Sequence, residues 1–264
     1  MGWTENLRTA FRREEPQRGL AADGHVLQVP SAYNLRELGG YETPDGLTRY
    51  GRFLRSGGTR SITGGDKRWL VEEYHVRRVL DLRGSGESPA LTDCFARTAG
   101  VAWANVSFLD YDLSSPQMLP ATDTSNYLVS GYLRMLSNRR AVREAFAFMA
   151  ATPPHECLLF HCAAGMDRTG MASLLILGLC GASRETVIAD YAYSFATPLE
   201  VDEVLRRRQT DRPEPLPRGL EGRVEAVSVV YDTLLQHHGS VRAYLRSCEV
   251  PDAHAQAVRA HLLS

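Results

Sequence analysis

Lysine is almost missing from this chain. Lys67 is the only one among 30 basic residues in 264, and the arginine skew reads as GC-rich bacterial coding. An excess of either charge is missing too: with a formal net charge of −1, nothing in the balance points to a nucleic-acid partner. The longest apolar run, about Met171 to Ala182, falls short of the ~20 residues a bilayer-spanning helix needs, so membrane insertion is not expected. Residues Met1 to Arg8 mix both charges and carry no apolar signal core, and Met1-Gly2 alone does not imply lipidation. Cysteine is sparse. Cys94, Cys157, Cys162, Cys180 and Cys248 show no framework spacing, which argues against a disulfide scaffold and for a reducing, cytoplasmic setting. Neither an internal repeat nor a low-complexity tract interrupts the chain.

What is present is apolar residue enough, 44% of the chain, to bury a substantial core in one domain, with residues 1–24 as an N-terminal arm. Apolar periodicity and turn residues predict short strands near Val26–Val29, Gly51–Arg55, Arg77–Leu82, Val101–Val106 and Cys157–His161. Helices are predicted over Gly65–Tyr74, Ser125–Leu136, Ala141–Ala151, Arg168–Cys180 and Ser183–Tyr193, then Glu200–Arg208, Leu220–His237, Val241–Arg246 and Pro251–Leu263. Gly181 is a stop signal, and Ser183 followed by Thr186 is a start signal. The alternation implies an α/β fold: a mostly parallel central sheet flanked by helices on both faces, with extra C-terminal helices. The polar stretch Asp110–Asn126 reads as a loop able to carry an acid. Thr210–Gly219, rich in proline and charge, reads as a connector or lid, and Arg206-Arg207-Arg208 as a solvated helix face.

The chemistry concentrates in His161-Cys162-Ala163-Ala164-Gly165-Met166-Asp167-Arg168-Thr169-Gly170. A buried strand leads into this run and a helix leads out of it. The first amides of that helix lack internal partners and its dipole adds positive potential, so the junction attracts anions. Ala163, Ala164 and Gly165 are small enough for the backbone to curl around a tetrahedral oxyanion. Arg168 can offer two phosphate oxygens a planar fork. Amides, helix terminus and guanidinium together favour a thiolate at Cys162, ready to act as nucleophile. Thr169 is placed to hydrogen-bond the sulfur, Gly170 to let the helix approach the strand, Asp167 to protonate a leaving oxygen.

The run resembles the HCxxGxxRTG signature of the protein tyrosine phosphatase superfamily, and within it the bacterial tyrosine-phosphatase-like group whose loop reads HCxAGKDRTG. Further resemblance lies in Asn34–Tyr41, Gly51–Ser56, Val79–Arg83 followed by Glu87, and Gly239–Arg246, covering the chain from about Val26 to its end. The resemblance implies a tyrosine-phosphatase-like fold and a metal-independent, cofactor-free phosphomonoester hydrolase working through a phosphocysteine. Its substrate would be a phosphorylated one, a phosphotyrosine protein or a small phosphomonoester such as a nucleotide, sugar or lipid phosphate. Met166 stands where the group has lysine. That removes a cation beside the phosphate and tilts the reading away from polyanionic lipids.

Competing readings are weaker. A metal held by His155, Cys157, His161 and Cys162 conflicts with strand alternation, which sends neighbouring residues to opposite faces. A rhodanese-type sulfurtransferase loop lacks the Arg-Thr-Gly exit, and a phospho-binding pseudoenzyme normally loses the cysteine or the arginine, both present here. His161 reads as a positioning residue bonded to nearby backbone. For the general acid the order is Asp167, then Asp81 at the end of a parallel strand, then Asp110 or Asp112. For Asp81 a structural role, capping a turn or holding Arg83 or Arg168 in place, is preferred to proton transfer.

Overall fold

A computed structural model describes residues 18–21, 24–87, 92–110, 119, 126–195 and 219–264. Among the described residues nine strands run in chain order: β1 Gly19–Leu20, β2 Leu27–Gln28, β3 Arg36–Glu37, β4 Glu42–Thr43, β5 Gly46–Leu47, β6 Phe53–Ser56, β7 Val76–Asp81, β8 Ala102–Asn105 and β9 Cys157–His161. Five of them form the central sheet in the order β3-β6-β9-β7-β8, with β1-β2 and β4-β5 as separate two-stranded ribbons. Strands β6, β9, β7 and β8 are mutually parallel, and β3 adds an antiparallel edge against β6. The α/β architecture is the predicted one. The antiparallel strand at Arg36–Glu37 lies outside the predicted strands, because two residues carry no periodicity.

The helices are α1 Gly64–Glu72, α2 Tyr127–Ser137, α3 Arg139–Ala150, α4 Asp167–Cys180, α5 Arg184–Ala192, α6 Leu220–His238, α7 Val241–Ser247 and α8 Asp252–Leu263. Start and stop signals act as expected: Ser183 Oγ accepts from Thr186 N at the head of α5, and Gly181 ends α4 in the left-handed conformation. The expected helix over Glu200–Arg208 and the Thr210–Gly219 stretch as far as Arg218 lie outside the described residues, as do Asp112 and residues 1–17.

Alternation along β9 divides the core in two. Leu158 and Phe160 join Phe53 and Leu80 in the larger core, packed by α2 to α8; Cys157 and Leu159 join Leu54, Val76 and Val79 in the smaller one, covered by Leu70 of α1. Because β9 is central and buried on both faces, its apolar run does not alternate with polar residues. α4 is buried along 11 of its 14 residues, packed among β6, β9 and four other helices. No helix among the described residues is long and apolar enough to cross a membrane.

Candidate active site

The parallel strands end in register. Ser56 of β6 and Asp81 of β7 both pair with His161 of β9, and Asn105 of β8 pairs with Asp81, so four strands present one carboxyl edge. Ligands of open α/β sheets bind at that edge. The loop Cys162–Met166 leaves it from β9 and enters α4, whose first residue is Asp167.

The loop is held from outside by its carbonyls. His161 Nδ1 lies 3.2 Å from the Cys162 oxygen, Gly58 N donates to the Ala163 oxygen at 2.8 Å, and Asn34 Nδ2 donates to both the Ala164 and Gly165 oxygens at 3.1 Å. Arg55 Nη2 also donates to the Gly165 oxygen, at 2.9 Å. In a planar trans peptide the next residue's N–H points opposite the carbonyl. With four successive carbonyls turned out, the amides of Ala163, Ala164, Gly165 and Met166 turn in, a nest for an anion. Gly165 makes the turn with φ +71°, and a Cβ there would lie 2.5 Å from Gly57 N and Ser56 C. Only glycine fits.

Cys162, the first residue of this loop, is buried. Arg168, in the first turn of α4, grips Glu87 with both terminal nitrogens, Nη2 at 3.2 Å from Oε1 and Nη1 on Oε2. Burial alone would lower the Arg168 pKa, but Glu87, Cys162 and Asp167 outweigh it and raise it. Burial raises the Glu87 carboxyl, yet Arg168 and the Gly84 amide at 2.8 Å carry it below its ordinary value. The expected fork for two oxygens is therefore present and is closed on a carboxylate. Asp110 stands nearby, its Oδ2 accepting from Ser85 N at 3.0 Å.

The other sequence candidates separate by environment. Asp81 is fully buried and clamped by Arg83, whose N, Nε and Nη2 all donate to it within 3.1 Å. That is the structural partnership with Arg83, which engages both Asp81 oxygens. His161 bonds backbone through Nδ1, as expected, but its Nε2 pairs with Asp93 Oδ2 at 2.7 Å, a partner not anticipated. Burial raises the Asp93 carboxyl, but the His161 bond, the Phe95 amide and the Trp103 indole bring it down to about 2. Asp81, Asp93 and His161 each bring one ligand-type atom within 4.8 Å of the others. Arg83, Phe95, Trp103 and the Cys162 carbonyl already engage them, which gives the trio a bracing role beneath the loop. Cys157 faces the smaller core and joins no such cluster.

Asp167 faces outward, half-exposed. Its Oδ1 accepts from the Tyr132 hydroxyl, which is 2.5 Å from the Tyr191 hydroxyl, and from Arg223 Nη1 of α6 at 3.3 Å. Arg223 stacks over the Phe195 ring at 4.2 Å. Two expectations need correcting. Thr169 Oγ1 is buried with no hydrogen-bond partner among the described residues, so it does not hold the Cys162 sulfur. Gly170 opens space not for a strand but for α5: a Cβ there would meet the Tyr191 ring at 2.7 Å, because α5 crosses the first turn of α4. Met166, half-buried, caps α4.

Sequence reasoning singled out neither Asn34 and Arg55 as loop supports nor Tyr132 and Arg223 as partners of Asp167. The usable signal was charge set among apolar residues, Arg36 after Leu35 and Arg55 after Phe53-Leu54. A cavity of about 410 Å³ between Val26 and Arg36 borders Asn34 and Tyr193, and no loop residue lines it.

A family model described as the tyrosine phosphatase family matches residues 27–264. A protein of Cupriavidus necator provisionally named a tyrosine-protein phosphatase is 28% identical over 91% of this chain and 89% of its own length. The tyrosine-protein phosphatase of Nostoc commune is 25% identical over 80% of this chain and 74% of its own, and the triple specificity protein phosphatase PtpB of Mycobacterium tuberculosis 24% over 90% and 99%.

Proposed function

The chain belongs to the tyrosine phosphatase family and is a cysteine-dependent phosphatase; we propose that it acts on phosphotyrosine in proteins, through a phosphocysteine at Cys162, in a single catalytic domain. The observation that carries the reading is the ring of four out-turned carbonyls, whose following amides turn inward, with Arg168 next along in the first turn of α4. Phosphate oxygens take the place of Glu87 on Arg168. The Cys162 thiolate attacks phosphorus in line, forming the S–P bond as the bond to the leaving oxygen breaks, while amides and guanidinium hold the equatorial oxygens. Asp167 gives its proton to the leaving oxygen. Water then attacks the phosphocysteine, the S–P bond breaks with its electrons returning to sulfur, and the Asp167 carboxylate takes the proton from water. No residue of this scheme needs a metal.

A broader substrate range is the second reading. Arg223 places a further cation beside Asp167, and one relative carries triple specificity in its name. Turnover of p-nitrophenyl phosphate in the presence of a chelator tests the chemistry: Cys162→Ser is expected to abolish it while vanadate still binds, and retained turnover rejects the covalent route. A kinetic panel of phosphotyrosine peptides, phosphoserine peptides, nucleotides and phosphoinositides ranks the substrates; preference for any class over phosphotyrosine peptides overturns the first reading.

A further inference from the structure

Behind the loop lies a buried cluster of charge. Arg36 of β3, Arg55 of β6 and Asp190 of α5 are all at most 2% exposed, two cations to one anion. Arg55 Nη1 pairs with Asp190 Oδ2 while its Nη2 reaches the Gly165 oxygen at 2.9 Å. Arg36 donates through Nη2 to the Asp190 carbonyl at 2.8 Å and to Ser194 Oγ at 2.9 Å, and through Nη1 to Asn34 Oδ1. The Tyr41 hydroxyl closes the group on Asp190 Oδ1 at 3.1 Å. Burial, then the Arg55 charge, brings the Arg36 pKa down to about 10, so it stays a cation at neutral pH. Two buried guanidiniums for one carboxylate is a costly arrangement unless a further negative charge lies close by. Through Arg55 the cluster reaches the outer side of the nest, at the Gly165 oxygen.

We propose that Arg55 is a positioning residue of the phosphate loop: with Asp190 as counter-ion and Asn34 as second donor, it holds the loop carbonyls outward and supplies part of the positive potential that draws the phosphate in. The peptides so held join Ala164 to Gly165 and Gly165 to Met166, and their N–H groups face the anion. The guanidinium touches no substrate; it acts through the carbonyl of Gly165, where a charge-assisted hydrogen bond polarises the peptide and strengthens the N–H on its other side. Asn34 is held for the same task. It adopts φ +54°, uncommon outside glycine, and its amide is fixed by Arg36 on one side and two loop carbonyls on the other. This role rests on the anion-binding reading of the loop given above and extends it to residues outside the signature.

The test uses the full-length protein and variants Arg55→Met, Arg55→Lys and Asn34→Asp. Inorganic phosphate binding is read by calorimetry, kcat and KM on p-nitrophenyl phosphate, and folding by thermal melting. Asn34→Asp keeps size and the acceptor for Arg36 but sets a carboxylate against two carbonyl oxygens. Phosphate affinity is expected to fall roughly ten- to a hundredfold in Arg55→Met and Asn34→Asp, as for loss of a hydrogen bond to a charged group, with kcat falling as well and Arg55→Lys recovering part. A merely structural role would lower the melting temperature and leave the affinity of the folded fraction unchanged. Folded Asn34→Asp or Arg55→Met binding phosphate within threefold of wild type overturns the proposal, and if Arg55→Met does not fold, Asn34→Asp decides alone. Wild type that binds phosphate but hydrolyses no phosphomonoester would instead overturn the catalytic reading, with the binding comparison still intact.

Discussion

A single methyl group at Gly165 puts the nest under a measurable load. Gly165→Ala places a Cβ 2.5 Å from Gly57 N, Ser56 C and Ser56 O, about 1 Å inside ordinary contact. None of these atoms can yield easily, because Ser56 is in register with His161 and Gly57 N is bonded to the Tyr33 oxygen at 2.8 Å. The left-handed φ adds about 1–2 kcal/mol for any residue with a Cβ, and the overlap about 1–3 kcal/mol. The loop is the softer partner, so it moves, by about 1 Å. A displacement of that size at reacting groups costs about 10²-fold in rate. The expected result is kcat/KM on p-nitrophenyl phosphate down about 10²-fold or more, vanadate inhibition weakened alongside it, and a melt lowered by several degrees with the protein still folded. An alanine variant within threefold of wild type in both constants would refute the account of the loop as an over-determined backbone cradle.

Gly170→Ala drives a Cβ into the Tyr191 ring, whose hydroxyl is tied to Tyr132, so stability should drop by about 1–3 kcal/mol in chemical denaturation and Asp167 should lose its fixed partner, showing most on substrates with poor leaving groups. Glu37 is buried, with Oε1 accepting from Gly51 N and Tyr74 and Oε2 without a hydrogen-bond partner among the described residues; burial first raises its pKa to about 7. Its folded value lies above the unfolded one, so its contribution is fully present below about pH 4.5 and is lost as pH rises to about 7, by roughly 3 kcal/mol. Glu37→Gln should flatten that part of the stability profile, measured by urea unfolding between those pH values. Asp93 runs the other way. Its folded value, about 2, lies below the unfolded one, so its stabilisation is present above about pH 4 and lost as pH falls through 2. Asp93→Asn should cost about 2 kcal/mol near neutrality and remove the acid-side dependence in the same experiment.

The elements and the reactive loop were legible because each carries its own local signal. The Cys162–Arg168 spacing, the apolar strand before it and the apolar helix after it are contiguous, and Ser183 and Gly181 mark their boundaries by chemistry confined to one turn. What supports the loop was not legible, since it is assembled by contacts across the chain: Asn34 and Arg55 stand more than a hundred residues before the carbonyls they hold. Asp93 escaped notice for the same reason, reaching His161 from 68 residues away. The choice among aspartates shows the limit from the other side. Position at a strand end made Asp81 a fair candidate for an acid, and only the clamp by Arg83 separates it from Asp167, which keeps solvent access.

Among the described helices, the one that begins with the arginine-bearing turn is also the most completely buried. Its amides from Leu174 to Leu179 are expected to fall in the slowest hydrogen-exchange class among the described residues. The Cys162–Met166 loop is thereby moored to that helix. Loss of catalysis on heating should follow global melting closely, without an inactive but otherwise intact form preceding it.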